Sequence, residues 1–408
     1  MATARFPQFS LFAGMLAFAG LPLYIHAPKF FADEYGVSLS VLGIALLAVR
    51  SLDFIQDPFL GWFADVIKGY QAATALFAAV LMAGGMVALF GIAPPINPLW
   101  WFVICLAILF TAFSFLNILF YSQGVATARR FGARGHIQLA AWREAGALIG
   151  ICIAAALPSI LEQAGSTRPM AVFAGVFAVI AIGAAMVMYS DWSGVEGQQS
   201  RFWDAFKDHG IQRLMLLGVL NSAPVAVSST LFLFFVGDRL GSESAAGPLL
   251  LFFFLAAALA VPVWTRISDK IGAKKTLLWG MSLSILAFMG ALFLAEGHFI
   301  AFGLICIASG AALGADMTFL PALFARRVDT IDMPAGIGFG LWNFCTKLSL
   351  ALAAAIVLPA LDQFGFETGV SNDKQALFAL TLLYAGLPCL LKIAAFMFLV
   401  RTELGETT

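Results

Sequence analysis

The chain has 408 residues, of which 61% are hydrophobic and only 11% are charged, and its mean hydropathy is +0.93. These values exclude a soluble globular domain and indicate an integral membrane protein. The formal net charge is zero, which gives no indication of a nucleic-acid partner. The five cysteines lie in apolar stretches without a CxxC pair, and the four histidines have no zinc-binding spacing. We therefore expect neither a metal centre nor another cofactor.

A helix that crosses a membrane needs about 20 apolar residues. The sequence predicts twelve such spans, at 9–31, 37–62, 70–93, 98–122, 138–160, 169–190, 212–236, 246–267, 276–296, 298–324, 336–361 and 375–400. The N-terminus runs into the first span without a short leader pattern, so we expect that span to be uncleaved.

The longest connection is polar and lies at the middle of the chain. It predicts a six-helix bundle over 1–190, a cytoplasmic linker over 191–211 with a short amphipathic helix at Phe202–Phe206, and a second six-helix bundle over 212–408. With the N-terminus in the cytoplasm, fifteen Lys and Arg residues fall on that side and only four on the other. This asymmetry predicts that both termini lie inside the cell, in the inner membrane.

A faint internal repeat relates the two halves. Pro58 and Asp65 recur as Pro262 and Asp269, each pair at the cytoplasmic end of the second helix of its half. With the linker and the helix count, this repeat predicts an all-α membrane protein with two parallel six-helix repeats, the major facilitator layout, and a binding site near the midplane between the halves. We expect Asp65 and Asp269 to act in gating, by holding one state closed at the cytoplasmic side.

The second span carries Arg50, Asp53 and Asp57 within its apolar part. The spacing i, i+3, i+7 places all three on one helix face. Each ionisable group inside a membrane costs roughly 2.5–3.5 kcal/mol on insertion scales. One cation against two carboxylates leaves one negative charge, which a bound Na⁺, Li⁺ or H⁺ would neutralise. The stripe indicates cation coupling; the alternative is a structural ion-pair cluster that locks helices together.

Polar residues in the first and fourth spans are candidates for contact with a solute. Tyr24 and His26 lie between two prolines in the first span, where they either face a ligand or accompany a kink. Ser114, Asn117 and Tyr121 share one face of the fourth span and form either an oxygen-rich wall for a cation and a polar solute or polar contacts between helices.

The fifth span contains Trp142, Arg143 and Glu144 in succession. Adjacent helical side chains diverge by about 100°, so we expect that Arg143 and Glu144 cannot simply pair with each other. At least one of them must then reach another helix or a cavity. Arg143 beside Trp142 suits a site that hydrogen-bonds and stacks a ligand.

In the second half, Asn221 belongs to a polar lining of the seventh span and Asp316 lies deep in the tenth. The eleventh span carries Trp342, Asn343 and, one turn later, Lys347. Asn221, Asp316, Trp342 and Asn343 are predicted to contact the solute. Lys347 is the expected countercharge of Asp316, and a purely structural pairing of these two residues is the alternative.

Two further features are kept outside the predicted site. Lys392 is expected to extend its ammonium group towards the cytoplasmic surface. The segment GIGFGLW (336–342) opens a membrane helix without a preceding strand, so it indicates close helix packing or flexibility and not a nucleotide loop.

The run from Arg50 to Trp62, RSLDFIQDPFLGW, strongly resembles the second helix of the glycoside–pentoside–hexuronide:cation symporters. The resemblance extends over most of the chain and includes Arg143, the NSAPVAVSSTLFLFFVGDRLG stretch and Lys347. It implies that Na⁺, Li⁺ or H⁺ binds at four residues, namely Asp53, Gln56, Asp57 and Ser114. It also implies that Lys347 is needed for coupling, a role in which we group it with Arg50 and Glu144, and that Arg143 lies near a sugar.

Two positions depart from that family. Its sugar-binding acid early in the first helix has no counterpart in the apolar region around Ala17, and its second such acid, on the fourth helix, appears here as Asn117. A carboxylate pair that grips one sugar is therefore missing, which argues against a galactoside of that kind but leaves the cation site unaffected. We interpret Asp316 as a compensating feature of a different ligand.

These observations predict a monomeric secondary active transporter in the lipid bilayer. Its expected activity is symport of a small polar organic solute, a sugar or glycoside, with Na⁺ or H⁺. The alternatives are a lysolipid or amphiphile transporter on the same fold and a membrane sensor that does not transport. An enzyme is disfavoured because no Ser/His/Asp set, metal cluster or histidine pair is present in the sequence.

Overall fold

The computed structural model describes residues 6–21, 23, 26–67, 69–192, 208–242, 245–366 and 372–402. Fourteen α-helices are described there: α1 Phe6–Leu21, α2 Ala27–Tyr35, α3 Leu39–Val66, α4 Gln71–Gly91, α5 Pro98–Arg129, α6 Gly135–Gln163, α7 Pro169–Met188, α8 His209–Phe234, α9 Ala246–Ile271, α10 Ala273–Ala291, α11 Phe299–Thr330, α12 Ala335–Gln363, α13 Lys374–Thr381 and α14 Leu387–Arg401. Short 3₁₀ segments follow α5 and α7, and π-helical turns follow α8 and α13.

These helices form twelve segments that match the twelve predicted spans in order. α1 and α2 together occupy the first span, and the π-helical turn Leu382–Gly386 joins α13 and α14 into the last. Nine helices of the described chain are long and apolar enough to cross a membrane. The all-α fold class is confirmed. Phe202–Phe206 and most of the predicted linker lie outside the described residues.

Local sequence signals explain several helix boundaries. Asn97 caps α5 by accepting a hydrogen bond from the Leu99 amide at 3.0 Å, and Pro98 follows as the first helical residue. Asp208 caps α8 and Asp373 caps α13 in the same way. In the first segment, where two prolines predicted bending, α1 ends at Leu21 and α2 begins at Ala27.

The chain divides into two compact units. The first comprises Met1–Ala205 with Val328–Phe344, and the second comprises Phe206–Arg327 with Cys345–Thr408. The division after residue 205 falls within the stretch 191–211 that the sequence predicts as a linker. The assignment of the turn before α12 and the first part of α12 to the first unit has no counterpart in the sequence pattern. The bounds 1–190, 191–211 and 212–408 stay a prediction.

Close glycine contacts set the packing of the first unit. α1 and α6 approach so closely that a Cβ on Gly146 would overlap the backbone oxygen of Ser10, and a Cβ on Gly150 would overlap that of Gly14. Small residues permit such backbone contact between membrane helices. Aromatic rings fill the space around this contact; Phe12, for example, packs on Phe120 with ring centroids 4.9 Å apart.

Candidate functional site

The acids of α3 lie on its buried face. Asp53 and Asp57 are 4% and 0% exposed, whereas Leu52 and Ile55 on the opposite face are both 53% exposed. Arg50 is half-buried. The periodicity predicted from the sequence therefore describes the orientation of α3 within the first unit.

Two side-chain hydrogen bonds connect α3 and α5 in this region. The Ser114 hydroxyl donates to Asp53 Oδ1 at 2.6 Å, and both groups are buried. One turn earlier on α5, the Thr111 hydroxyl donates to Gln56 Oε1 at 3.1 Å. Thr111 was not predicted, although its position three residues before Ser114 places it on the same helix face.

This arrangement can hold a hard cation. Asp53, Gln56, Asp57, Thr111 and Ser114 offer oxygen atoms, the ligands that hard cations prefer. Two carboxylates one helical turn apart repel each other in a low-dielectric interior, and a bound cation relieves that repulsion. The described residues contain no group of three or more His, Cys, Asp or Glu side chains that could hold a metal ion.

A second polar group links α5 and α6. Arg143 Nε donates to Glu144 Oε1 at 2.9 Å, and the Tyr121 hydroxyl lies 3.4 Å from the same oxygen. The guanidinium carbon lies 3.8 Å from the centre of the Tyr121 ring. The expectation that Arg143 and Glu144 cannot pair is wrong, because the long arginine side chain bends back along the helix and overcomes the divergence of the Cβ atoms.

Arg143 keeps one donor group available. Its Nη2 atom is buried and has no hydrogen-bond partner within the described part of the chain. Asn117 is half-buried on α5, one turn from Tyr121, and Trp142 is exposed. A ligand that reaches Arg143 would therefore meet an unused N–H group beside the Tyr121 ring.

The first part of α12 packs directly against the acid-bearing helix. A Cβ on Gly61 would overlap the backbone oxygen of Gly336, and a Cβ on Gly340 would lie 2.6 Å from the backbone oxygen of Asp57. Close packing was predicted for these glycines and is observed. Trp342 and Asn343, two predicted solute contacts, are buried in this same segment of the first unit.

Asp65 binds the beginning of α12. Its carboxylate accepts hydrogen bonds from the backbone amides of Gly336 at 3.0 Å and Ile337 at 2.7 Å. A helix N-terminus favours an anion because its first amides have no partner in the helix. Asp269, the repeat-related residue on α9, is exposed. Through its two hydrogen bonds, Asp65 connects the end of α3 to the first turn of α12.

The turn before α12 is also tied to the first unit by ion pairs. Arg129 at the end of α5 pairs with Asp329 and, at 3.1 Å, with Asp332. His136 Nε2 lies 3.0 Å from Asp329. No sequence pattern indicated these contacts, since the partners are about two hundred residues apart.

The second unit pairs its buried acid with an unexpected partner. Lys392 Nζ donates to Asp316 Oδ2 and, at 2.6 Å, to Asn221 Oδ1. Lys392 is only 2% exposed, so the expectation that it extends to the surface is wrong. It lies nine residues before Arg401, about 14 Å along the helix. Lys392, and not Lys347, is the ion-pair partner of Asp316; Lys347 is half-buried on α12.

His26, a candidate from the first span, lies elsewhere. His26 is half-buried and lines a cavity of about 630 Å³ whose lining includes none of Asp53, Asp57 and Arg143. Tyr24 lies outside the described residues. The structure thus joins Asp53 to Ser114, places Asp57 on the same buried face of α3, and places His26 in a separate cavity.

Comparisons with known proteins agree with this architecture. The family model described as MFS/sugar transport protein matches residues 9–406. The structure of a single-residue variant of the E. coli fucose:proton symporter FucP is 13% identical, with 98% of each chain covered and a TM-score of 0.71. A structure of FucP in the outward conformation is 11% identical, covers 98% of this chain and 99% of that one, and has a TM-score of 0.71.

No curated protein matches the chain. At these low identities the two structures show a shared fold. The family match covers nearly the whole sequence, and it is independent of the structural likeness. The chain therefore belongs to the MFS/sugar transport protein family, a family of membrane transporters and not of enzymes.

Proposed function

We propose that the protein is a secondary active transporter of the glycoside–pentoside–hexuronide:cation symporter type, which moves a sugar or glycoside with Na⁺ or H⁺ by alternating access. The observation that carries this proposal is the hydrogen bond from Ser114 to Asp53 beside the fully buried Asp57. The two acids lie one helical turn apart on one buried face, where their like charges repel each other. A transported cation would reduce that repulsion.

The coupling ion is proposed to bind at Asp53, Gln56, Asp57 and Ser114. A serine hydroxyl rotates freely and offers two lone pairs, so Ser114 can stop donating to Asp53 and turn an oxygen towards Na⁺. A proton could instead occupy either carboxylate. Arg50, Glu144 and Lys347 are proposed to couple the ion to the solute.

The solute is proposed to contact Arg143, Asn117, Tyr121 and Trp142. The unpartnered Nη2 of Arg143 and the Asn117 amide suit hydroxyl or carboxylate groups, and Trp142 offers a ring for stacking. Trp342 and Asn343 are further proposed contacts. Asn221 and Asp316 are also proposed contacts, and Lys392 already binds one oxygen of each.

Gating and orientation complete the proposal. The Asp65 carboxylate would hold α12 in one state of the cycle and release it in the other, with Asp269 acting at the equivalent position of α9. Both termini are proposed to be cytoplasmic, in the inner membrane, and the transporter is proposed to act as a monomer.

Ligand-induced thermal stabilisation of the purified protein tests this function. The probes are melibiose, L-fucose, glucuronate and lysophosphatidylcholine, each with and without Na⁺ and at several pH values. A ligand that binds only the folded state raises the melting temperature by mass action. We expect a saccharide to stabilise the protein, and Na⁺ or acidic pH to increase the effect.

Asp57→Asn should remove the cation dependence, whereas the same change at the exposed Asp362 should preserve it. Stabilisation by lysophosphatidylcholine alone, independent of cations, would contradict symport of a sugar and favour an amphiphile transporter.

A further inference from the structure

A sizeable cavity lies at one end of the first unit. The cavity has a volume of about 630 Å³. It is surrounded by α2, the C-terminal ends of α4 and α6, and the N-terminal end of α7. α3 ends just after Asp65 and α4 runs back along the unit, so this end is opposite to Asp65. The charge asymmetry of the loops predicts that it faces outside the cell.

One wall of this cavity is aromatic. The Phe30 ring meets the Phe90 ring edge-on at 5.4 Å and the Tyr35 ring edge-on at 5.9 Å. The flat faces and C–H edges of such rings pack against apolar surface, and the Tyr35 hydroxyl adds a polar end.

The remaining walls carry polar groups of both signs. His26 lies in the electrostatic field of Glu162 at the end of α6, and Tyr35 lies in that of Arg168 at the start of α7. Lys29, Asp33 and Glu34 also face the cavity. Two basic and three acidic side chains line it, so its charge is close to balanced and it has no strong preference for an ion.

We propose that this outer cavity is a saccharide-binding site, separate from the residues at Asp53 and Arg143, which captures the solute before transport. The inference rests on the proposed sugar symport for the identity of the solute. Carboxylate, guanidinium and imidazole groups hydrogen-bond hydroxyl groups, while aromatic rings pack on the C–H face of a sugar ring.

The size and polarity of the cavity limit its occupant. Its volume lies within the roughly 300–1,000 Å³ typical of small-molecule sites, which accommodates a mono- or disaccharide. The hydrocarbon tail of a lysolipid would desolvate the charged groups of the lining without pairing them, which is unfavourable. The cavity therefore selects for a compact, hydroxyl-rich ligand.

Cysteine protection tests the site directly. Ser159 is exposed and lines the cavity, so a Ser159→Cys variant should react with a membrane-impermeant maleimide added to intact cells. The matched control is Glu296→Cys, at an exposed position of the second unit on the same predicted side. Melibiose, L-fucose or glucuronate should slow labelling of the first variant and leave the control unchanged.

Protection should depend on the charged lining. Adding Glu162→Gln or Arg168→Gln, both at exposed positions, should weaken the apparent saccharide affinity about tenfold, as expected for the loss of a hydrogen bond to a charged group. Unchanged protection in both variants, or protection by lysophosphatidylcholine alone, would overturn the saccharide site.

A last variant separates this site from the transport proposal. Asp57→Asn should keep saccharide protection of Ser159→Cys while it loses cation-driven accumulation. Absence of protection by every saccharide, with cation-dependent stabilisation intact, would overturn the outer cavity and leave the symporter proposal standing. Protection without any cation-driven accumulation in the otherwise unchanged protein would support the cavity and overturn the symporter proposal.

Discussion

The two units bury their acids in different surroundings. In the first unit, Asp53 and Asp57 share one face of α3, and a serine hydroxyl donates to Asp53. In the second unit, the single carboxylate of Asp316 meets the ammonium group of Lys392, which also donates to Asn221. The first arrangement has two acids close together and oxygen ligands nearby; the second is an ion pair with matched charges.

Under the symport proposal, this difference separates a site for a transported cation from a carboxylate whose cationic partner is a lysine of the same unit. Removing charges from water costs several kcal/mol per ion, and a partner charge offsets that cost only with good geometry. Lys392 supplies this compensation permanently to Asp316. Under the proposed symport, a transported ion would contribute such compensation at Asp53 and Asp57 during only part of the transport cycle.

The largest expected effect is the loss of uphill transport in Asp57→Cys. Without this carboxylate the proposed cation loses one of its two charged ligands. Accumulation of the stabilising saccharide in proteoliposomes, driven by a Na⁺ or pH gradient, should fall to background. Asp362→Cys is the matched control, since Asp362 is exposed at the end of α12. Undiminished accumulation in Asp57→Cys would sink the proposed cation role.

The ion pair of Asp316 and Lys392 should instead affect the stability of the fold. Asp316→Asn and Lys392→Met each leave one buried charge uncompensated, which costs about 3–5 kcal/mol. The double variant removes both charges and should recover most of that loss. Unfolding by heat or denaturant in detergent measures the three variants. If the double variant is as unstable as the sum of the single ones, the two residues do not form a compensating pair.

The sequence predicted those features that a single helix determines. Runs of about 20 apolar residues marked the spans whatever their neighbours, and the i, i+4 spacing of Asp53 and Asp57 marked their common face. Spacing on α5 also placed Ser114 on one face with Asn117. Only the family resemblance, however, indicated that Ser114 belongs with the acids of α3.

The contacts that the sequence did not predict depend on how helices pack or on the conformation of a side chain. Asp316 and Lys392 are 76 residues apart, and their contact requires particular rotations of α11 and α14. Lys347 was an equally reasonable partner from the sequence. The pairing of Arg143 with Glu144 depends on the conformation of a long side chain, which residue spacing does not encode. The contact of Arg129 with Asp329 was not foreseen because it too depends on how distant helices pack.

Packing of α12 should matter for the acid pair of the first unit. In Gly340→Ala the added methyl would lie 2.6 Å from the backbone oxygen of Asp57, so α3 and α12 must move apart. Overpacking of this kind costs about 1–3 kcal/mol. Gly84→Ala is the control, because nothing lies within 4 Å of its added Cβ. We expect a lower melting temperature and weaker cation binding only in Gly340→Ala; equal behaviour of the two variants would contradict the close crossing.

Ser114→Ala should weaken cation binding without abolishing it. The change removes one hydroxyl from Asp53, and a hydrogen bond to a charged group contributes about 1.5–3 kcal/mol, or at least about tenfold in affinity. Ser309→Ala is the control, since the Ser309 hydroxyl is buried in the second unit and donates to its own helix at 2.7 Å. Na⁺ titration of thermal stability measures both, and equal Na⁺ affinity in Ser114→Ala and wild type would exclude this hydroxyl as a ligand.

The smallest effect is expected at the ion pair between Asp208 and Arg327, at the start of α8. Hydrogen bonding from Arg327 is the main cause that lowers the pKa of Asp208 in the folded protein. A lowered folded-state pKa contributes stability that is fully present above the unfolded value, near about 4, and is lost as the pH falls through the folded value. Solvent screens this half-exposed pair, so its contribution should stay below about 1 kcal/mol.

Asp208→Asn keeps the helix cap, because asparagine also caps well, and removes only the charge. Its melting temperature should lie slightly below that of the wild type at neutral pH, and the difference should shrink below about pH 4 and in high salt. The pair of Asp316 and Lys392, shielded from solvent, should show no such salt dependence. If salt weakens the buried pair as much as the Asp208 pair, the contrast drawn between an enclosed and a solvent-facing ion pair fails.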